Sequence, residues 1–238
     1  RLRIGQLRGS EPMQVVSGRL DYPTVHFEAP PREGLEERLE AFINWFNHSL
    51  TDALLDPLLR AGITHLWFIT LHPFDDGNGR ITRTLTDLAL AQMDEQSIRL
   101  YAMSPVILNK RKSYYEILEQ TQKNDSNITN WLVWFLDTLN DSLETTLKQI
   151  DRTLFKSQFW HKYSNLDLHE GQRKVLNRLL DGGENGFEHG ISASQYQKVA
   201  KVSKATATRH LSDLLEKECI IKLEGGGRNT RYQINTQL

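Results

Sequence analysis

The residues best suited to chemistry stand together in His72-Pro-Phe-Asp-Asp-Gly-Asn-Gly-Arg80, with Arg83 one turn further on. Histidine exchanges a proton near neutral pH, which makes His72 the candidate general base. Pro73 stops the helix before it, and Gly77-Asn78-Gly79 supplies residues able to turn the chain through positive φ. A glycine-rich turn that enters a helix points free backbone N–H groups at one place, an arrangement that binds anions. Arg80 and Arg83 add fixed positive charge whose forked donors match phosphate oxygens. Asp76 offers a hard carboxylate oxygen of the kind that holds Mg²⁺ against phosphates. Each part alone has a plainer reading: a packed histidine, a loop tip, a solvated helix face. A plain turn needs no aromatic at Phe74, no acid at Asp76 and no paired arginines. Their combination describes phosphate binding, charge neutralisation and proton abstraction.

The flanking patterns say what must position this loop. Leu54 to Leu71 is apolar on every face, the mark of a helix in the middle of a bundle, and another helical pattern follows at 79–94. Upstream, residues 15–28 carry β-branched and aromatic side chains around Gly18, Asp21 and Pro23 and read as a short hairpin. Pro30-Pro31 then opens a helix through Leu35, Leu39, Phe42, Ile43 and Phe46. Downstream, 105–122 reads as one helix and 128–163 as a very long one. That length predicts a helix that is broken or partly paired with another copy of the chain, a homodimer.

Ser164–Asp167 is a polar break before a new unit. Leu168–Leu180, Ser192–Ala200 and Ser203–Glu218 read as helices, with Ser203 as the last one's N-cap. Ile220–Leu223 and Arg231–Ile234 read as strands around a glycine-rich tip. Three helices and a hairpin in this order predict a winged helix-turn-helix over 164–238, after a first domain at 1–163. The fold class is therefore mainly α with two small β hairpins.

Across 238 residues, 39% are hydrophobic and 25% charged, with a net charge of −1. This is globular composition and excludes a disordered or collagen-like chain. The apolar run 66–71 is far too short to span a bilayer. A single cysteine, Cys219, fits a reducing cytoplasm. The chain begins with Arg1 rather than Met and shows no signal peptide, so a start further upstream is expected. Residues 191–238 hold eight Lys or Arg against four acids, which leaves an acidic body and a basic C-terminal segment. Lys204, Thr206, Arg209, Arg228 and Arg231 are the candidate contacts there. Three readings stay open for them: a DNA groove, a protein partner, or a solvated helix face.

The loop resembles the signature of the Fic (filamentation-induced-by-cAMP) family, His-x-Phe-x-(Asp/Glu)-Gly-Asn-(Gly/Lys)-Arg, at every fixed position. The hairpin at 15–28 resembles that family's target-binding flap, and Lys110-Arg-Lys-Ser-Tyr-Tyr-Glu-Ile-Leu118 resembles its nucleotide-holding stretch. The resemblance implies a Fic-type helical bundle that transfers AMP from ATP, with Mg²⁺, to a Tyr, Thr or Ser hydroxyl of a protein docked on the flap, the chain itself included. On that reading His72 takes the hydroxyl proton, Phe74 anchors the loop, and Asp76 holds Mg²⁺ on the phosphates. Gly77, Asn78 and Gly79 cradle the phosphates, and Arg80 and Arg83 bind their outer end. Tyr114 and Tyr115 lie along the ribose and adenine, or are core aromatics. Gly79 favours AMP transfer, since relatives that move the γ-phosphoryl group carry Lys there. The family's inhibitory (Ser/Thr)-x-x-x-Glu-(Gly/Asn) helix has no match in this sequence and is expected upstream of Arg1. The rival function is a DNA-binding regulator whose Fic-like domain only senses nucleotide.

Overall fold

The computed structural model describes residues 5–19, 22–94, 102–123, 127–182, 187, 189–224 and 230–237. Along the first unit, Arg1–Thr146, strands β1 (Gln14–Arg19) and β2 (Tyr22–Glu28) precede α1 (Leu35–His48), α2 (Pro57–Leu71), α3 (Asn78–Asp94), α4 (Met103–Asn109) and α5 (Arg111–Lys123). Helix α6 (Thr129–Lys162) begins in this unit and continues into the second, Leu147–Leu238. There follow α7 (Glu170–Asp181), β3 (Ile191–Ser192), α8 (Ala193–Ala200), α9 (Lys204–Glu216), β4 (Ile220–Lys222) and β5 (Arg231–Ile234).

In the first unit α2 is the central element. Asp56 caps it, accepting from the N–H groups of Leu58 at 2.8 Å and Leu59 at 3.2 Å, and Pro57 occupies the first turn where its missing N–H costs nothing. Nine of its residues are buried, among them Leu66, Phe68, Ile69 and Leu71, as the all-round apolar pattern requires. Phe42 and Phe46 of α1, Leu90 of α3, Leu118 of α5 and Trp131 and Phe135 of α6 complete the core. Gly62 lets α2 and α6 approach closely: a Cβ there would stand 3.0 Å from Leu132 Cδ2 and 3.1 Å from Phe135 Cδ1. Trp131 Nε1 donates to the Gly62 carbonyl at 2.9 Å, so the same approach satisfies a buried indole.

β1 and β2 form an antiparallel hairpin whose register shifts between Val15 and Val16. It starts one residue before the expected flap; residues 20 and 21, at its turn, lie outside the described residues.

Two expectations need correction. The pattern at 105–122 is two helices, because Lys110 closes α4 with φ −94° and ψ 19° before α5 starts. The 128–163 segment is not broken: α6 is one helix of 34 residues, with Leu143, Leu147 and Leu154 exposed. The two compact units are Arg1–Thr146 and Leu147–Leu238, and Phe159 and Tyr163 near the end of α6 are buried in the second core.

That second core gathers Val175, Leu176, Leu179 and Leu180 of α7, Tyr196 of α8, and Ala207, Leu211 and Leu214 of α9. Ser192 and Ser203 cap α8 and α9 through their hydroxyls. The strands pair in the order β3-β5-β4. The third strand, β3, was not expected, since two residues are too few to show an alternating pattern. Cys219 is buried, which pushes its thiol up to about 11.

Candidate active site

α2 ends at the candidate base. His72 is its C-cap in left-handed backbone, φ 46° and ψ 56°, with its N–H still bonded to the Phe68 carbonyl at 3.2 Å. Left-handed backbone is disfavoured for a residue with a Cβ, and it swings the chain off the helix axis into the loop. His72 Nδ1 lies 3.1 Å from the Ile69 carbonyl, an acceptor only, so the hydrogen-bond network assigns the proton to Nδ1 and the lone pair to Nε2. Burial lowers the pKa of the ring, as does the charge of Arg8, while the bond to Ile69 opposes them. The imidazole is therefore neutral and able to accept a proton below the usual histidine range.

The loop closes on itself. Asn78 Oδ1 accepts from the Phe74 N–H at 2.9 Å, and Asn78 Nδ2 donates to the Phe74 carbonyl at 2.7 Å. The Phe74 ring faces Phe68 of the core at 6.5 Å. Asn78 is 3% exposed, so its side chain clasps the loop, and it can meet an anion only through its backbone N–H. Gly77, at φ 86°, makes the turn into α3 that a side chain would resist. The first intrahelical bond runs from Ile81 N–H to the Gly77 carbonyl at 3.0 Å. The N–H groups of Asn78, Gly79 and Arg80 thus have no intrahelical acceptor and form a nest at the positive end of α3.

Arg80 and Arg83 both line the cavity beside this nest, but they are held differently. Arg80 is largely exposed and folds back to Asp76 Oδ2 at 3.1 Å. Arg83 is half-buried, and a Cβ on Gly79 would stand 3.4 Å from its Nη1, so glycine leaves it room. Asp76 Oδ1 accepts from the Gly77 N–H at 2.6 Å.

The cavity has a volume of about 500 Å³. His72, Asp75, Asp76, Gly77, Asn78, Gly79, Arg80 and Arg83 line one side, Met13, Val15, Val16 and Phe27 of the hairpin region another, and Tyr114, Tyr115 and Gln122 of α5 a third. Tyr114 and Tyr115 differ. Tyr114 is buried and its hydroxyl meets His65 Nε2 at 3.0 Å, whereas half-buried Tyr115 lies beneath the Arg111 guanidinium at 5.6 Å. A second cavity of about 520 Å³ shares Arg83, Tyr114 and Tyr115.

Asp76 suits Mg²⁺, which takes one or two carboxylates together with substrate phosphates rather than a protein cage. Its Oδ2 is held only by an exposed arginine, Asp75 is beside it, and no group of three acidic or metal-binding side chains occurs among the described residues.

Sequence reasoning missed Gln122 and Phe27. Gln122 lies seven residues after Tyr115 on α5, and that spacing could have placed it on the same wall. Its Nε2 donates to Thr70 Oγ1 at 2.8 Å, while its Oε1 is buried without a hydrogen-bond partner, an acceptor that a ligand donor would satisfy. The Phe27 ring faces the His72 ring at 6.5 Å. In the second unit, Lys204, Arg209 and Arg231 are exposed and Thr206 is half-exposed, away from buried Ala207 and Leu211; Arg228 lies outside the described residues.

Comparison with known proteins follows these features. Residues 4–90, which include the hairpin, the loop and most of α3, match the Fic/DOC family model. Protein adenylyltransferase Fic of Nematostella vectensis is 34% identical over 98 residues, 40% of this chain and 21% of that protein. Protein adenylyltransferase fic-1 of Caenorhabditis elegans is 32% identical over 116 residues, 47% of this chain and 21% of that protein. The chain thus spans about a fifth of the length of these curated relatives. The crystal structure of a Fic family protein from Desulfovibrio desulfuricans G20 matches 97% of this chain and 62% of its own, with TM-score 0.50 and 20% identity, a likeness of fold. No helix among the described residues is long and apolar enough to cross a membrane. Over residues 4–90, which hold the loop and the hairpin, the chain is thus similar to the Fic/DOC family.

Proposed function

We propose that this protein transfers AMP from ATP to a Ser, Thr or Tyr hydroxyl of a protein docked on the hairpin. One observation carries the reading: a neutral His72, with Nδ1 engaged and Nε2 free to accept, lines the same cavity as the α3 nest and its two arginines. The names of the relatives in Nematostella vectensis and Caenorhabditis elegans support it.

In this reaction the hydroxyl oxygen of the target attacks the α-phosphorus, and the bond from that phosphorus to the pyrophosphate oxygen breaks in line with it. His72 Nε2 takes the hydroxyl proton as the new P–O bond forms. The N–H groups of Asn78, Gly79 and Arg80, with the guanidiniums of Arg80 and Arg83, stabilise the charge that collects on the leaving pyrophosphate. When bound at Asp76, Mg²⁺ would neutralise further phosphate charge. Phe74 and the Asn78 clasp hold the nest still, so little reorganisation is needed at the moment of transfer.

Mass spectrometry of the chain and of a lysate incubated with it, ATP and Mg²⁺ tests the proposal. An AMP adduct on a protein hydroxyl, lost in His72→Ala while ATP still binds, supports it; no adduct on any protein with the wild type rejects it.

We also propose that the C-terminal unit is a winged helix-turn-helix. The tight link between α8 and α9, with Lys201 at φ 54°, and the β3-β5-β4 sheet support this. The exposed Lys204 and Arg209 would then face DNA or a protein partner. DNA binding that weakens steeply with salt favours the first, and its absence favours the second.

A further inference from the structure

Arg8 belongs to no motif and lies before the hairpin, yet it is only 2% exposed. A guanidinium buried this deeply needs protein acceptors for its donors. Its Nε donates to the carbonyl of His72 at 3.0 Å, and its Nη2 donates to the carbonyl of Pro30, two residues beyond β2. The main chain adds two more ties. Arg8 N–H donates to the Pro73 carbonyl at 2.9 Å, and the Arg8 carbonyl accepts from Arg32 Nε at 2.7 Å. One residue therefore touches both the backbone that carries the imidazole and the root of the hairpin.

That backbone is the left-handed one at His72, a conformation that persists only where neighbouring groups hold it. Its carbonyl has left the helix ladder of α2, and Arg8 Nε supplies a donor in place of a helical N–H. The hairpin root is held from the other side, since Ala29 N–H donates to the Met13 carbonyl at 2.8 Å.

We propose that Arg8 is a positioning residue for AMP transfer: its single guanidinium, by gripping the carbonyls of His72 and Pro30 together, fixes the base relative to the hairpin that presents the target hydroxyl. The inference rests on the adenylyl-transfer reading of the cavity and adds a determinant of its geometry. The hydrogen bonds of Arg8 go to His72, Pro30, Pro73 and Arg32, at the base and the hairpin root, so its effect falls on the transfer step more than on ATP binding. Its positive charge also disfavours the imidazolium of His72.

The test uses the full chain with Arg8→Met, which keeps the stem and removes both side-chain donors, and Arg8→Lys, which keeps the charge but cannot fork. Three quantities are read: kcat and KM for ATP in AMP transfer, the Kd for ATP, and the ring-nitrogen NMR signals of His72 in isotope-labelled protein. Arg8→Met should lower kcat by about tenfold or more, since small misplacements of reacting groups are costly. Its KM and Kd for ATP should stay within about twofold of wild type, and the His72 signals should move. Arg8→Lys should recover part of both. Wild-type kcat with unmoved His72 signals in both variants overturns the proposal, as does a loss confined to ATP affinity. If Arg8→Met does not fold, Arg8→Lys decides alone, and wild-type kcat and signals there overturn the proposal. If the wild type transfers no AMP, the adenylyl-transfer reading fails by itself. The grip of Arg8 on His72 is then judged by the NMR signals alone: movement in the variants supports it, and no movement overturns it.

Discussion

The hydroxyl of Tyr114 donates to Nε2 of His65 across 3.0 Å, although 49 residues separate them in the chain. The direction of this bond follows from its neighbours. Thr86 Oγ1 donates to the Thr82 carbonyl at 2.8 Å, so it must accept from His65 Nδ1–H at 3.0 Å, which leaves Nε2 as the acceptor. Tyr114 therefore turns its polar end into the core, and its part in the cavity wall is its ring. Burial raises its pKa, in keeping with a phenol that stays protonated.

Removing that hydroxyl tests this polarity. Tyr114→Phe leaves His65 Nε2 buried without a donor, at a cost of about 1–3 kcal/mol in stability. ATP affinity should stay within about twofold of wild type, because no ligand atom depends on the lost oxygen. Urea unfolding and ATP titration read the two effects. A large loss of ATP affinity at unchanged stability would mean that the hydroxyl faces the ligand instead.

His65 also makes the first unit sensitive to acid. It is fully buried, and desolvation, with a contribution from the Arg83 charge, pushes its pKa down to about 3. In the unfolded chain the ring titrates near 6.5, so the unfolded state binds the extra proton first. The stabilisation from the neutral ring is complete above about pH 6.5 and is lost as pH falls from there toward 3. His65→Gln removes this titration. Between pH 7.5 and 5 the wild type should lose more stability than the variant in paired urea melts.

His72 shares the direction but not the consequence. Burial lowers its pKa, so the imidazole keeps its Nε2 lone pair below the usual histidine range. The acid limb of a kcat/KM–pH profile for AMP transfer, which reports the free enzyme, should therefore fall below pH 6.5. An acid limb above that value would identify another group as the base.

The sequence is most informative where the chemistry is contiguous. His72, Phe74, Gly77, Asn78 and Arg80 stand within one turn between two helices, so spacing alone brings them together. Arg8 and His72 meet across 64 residues, and Tyr114 reaches His65 across 49, and no local period reports such pairs. The 105–122 segment shows the opposite failure: its apolar spacing is helical on both sides of Lys110, and only the backbone reveals the break. The role of Asn78 was hidden for another reason. Its type and place suit an anion cradle, but which way the amide points depends on the Phe74 main chain four residues earlier.

That amide gives the sharpest contrast within the loop. Asn78→Ala strands the N–H and carbonyl of Phe74, at about 1–3 kcal/mol for each group left unsatisfied away from water. It should also weaken ATP binding, because the turn that aims the first N–H groups of α3 is no longer closed. Arg80 differs: its side chain is 73% exposed and pairs with a 67% exposed Asp76. Such surface pairs contribute less than about 1 kcal/mol, so Arg80→Ala should melt like the wild type while binding ATP less tightly, with a weaker dependence on salt. Thermal melts with and without ATP separate the two. Equal melting of both variants in the absence of nucleotide would mean that the clasp does not hold the loop, and the fixed nest would lose its physical basis.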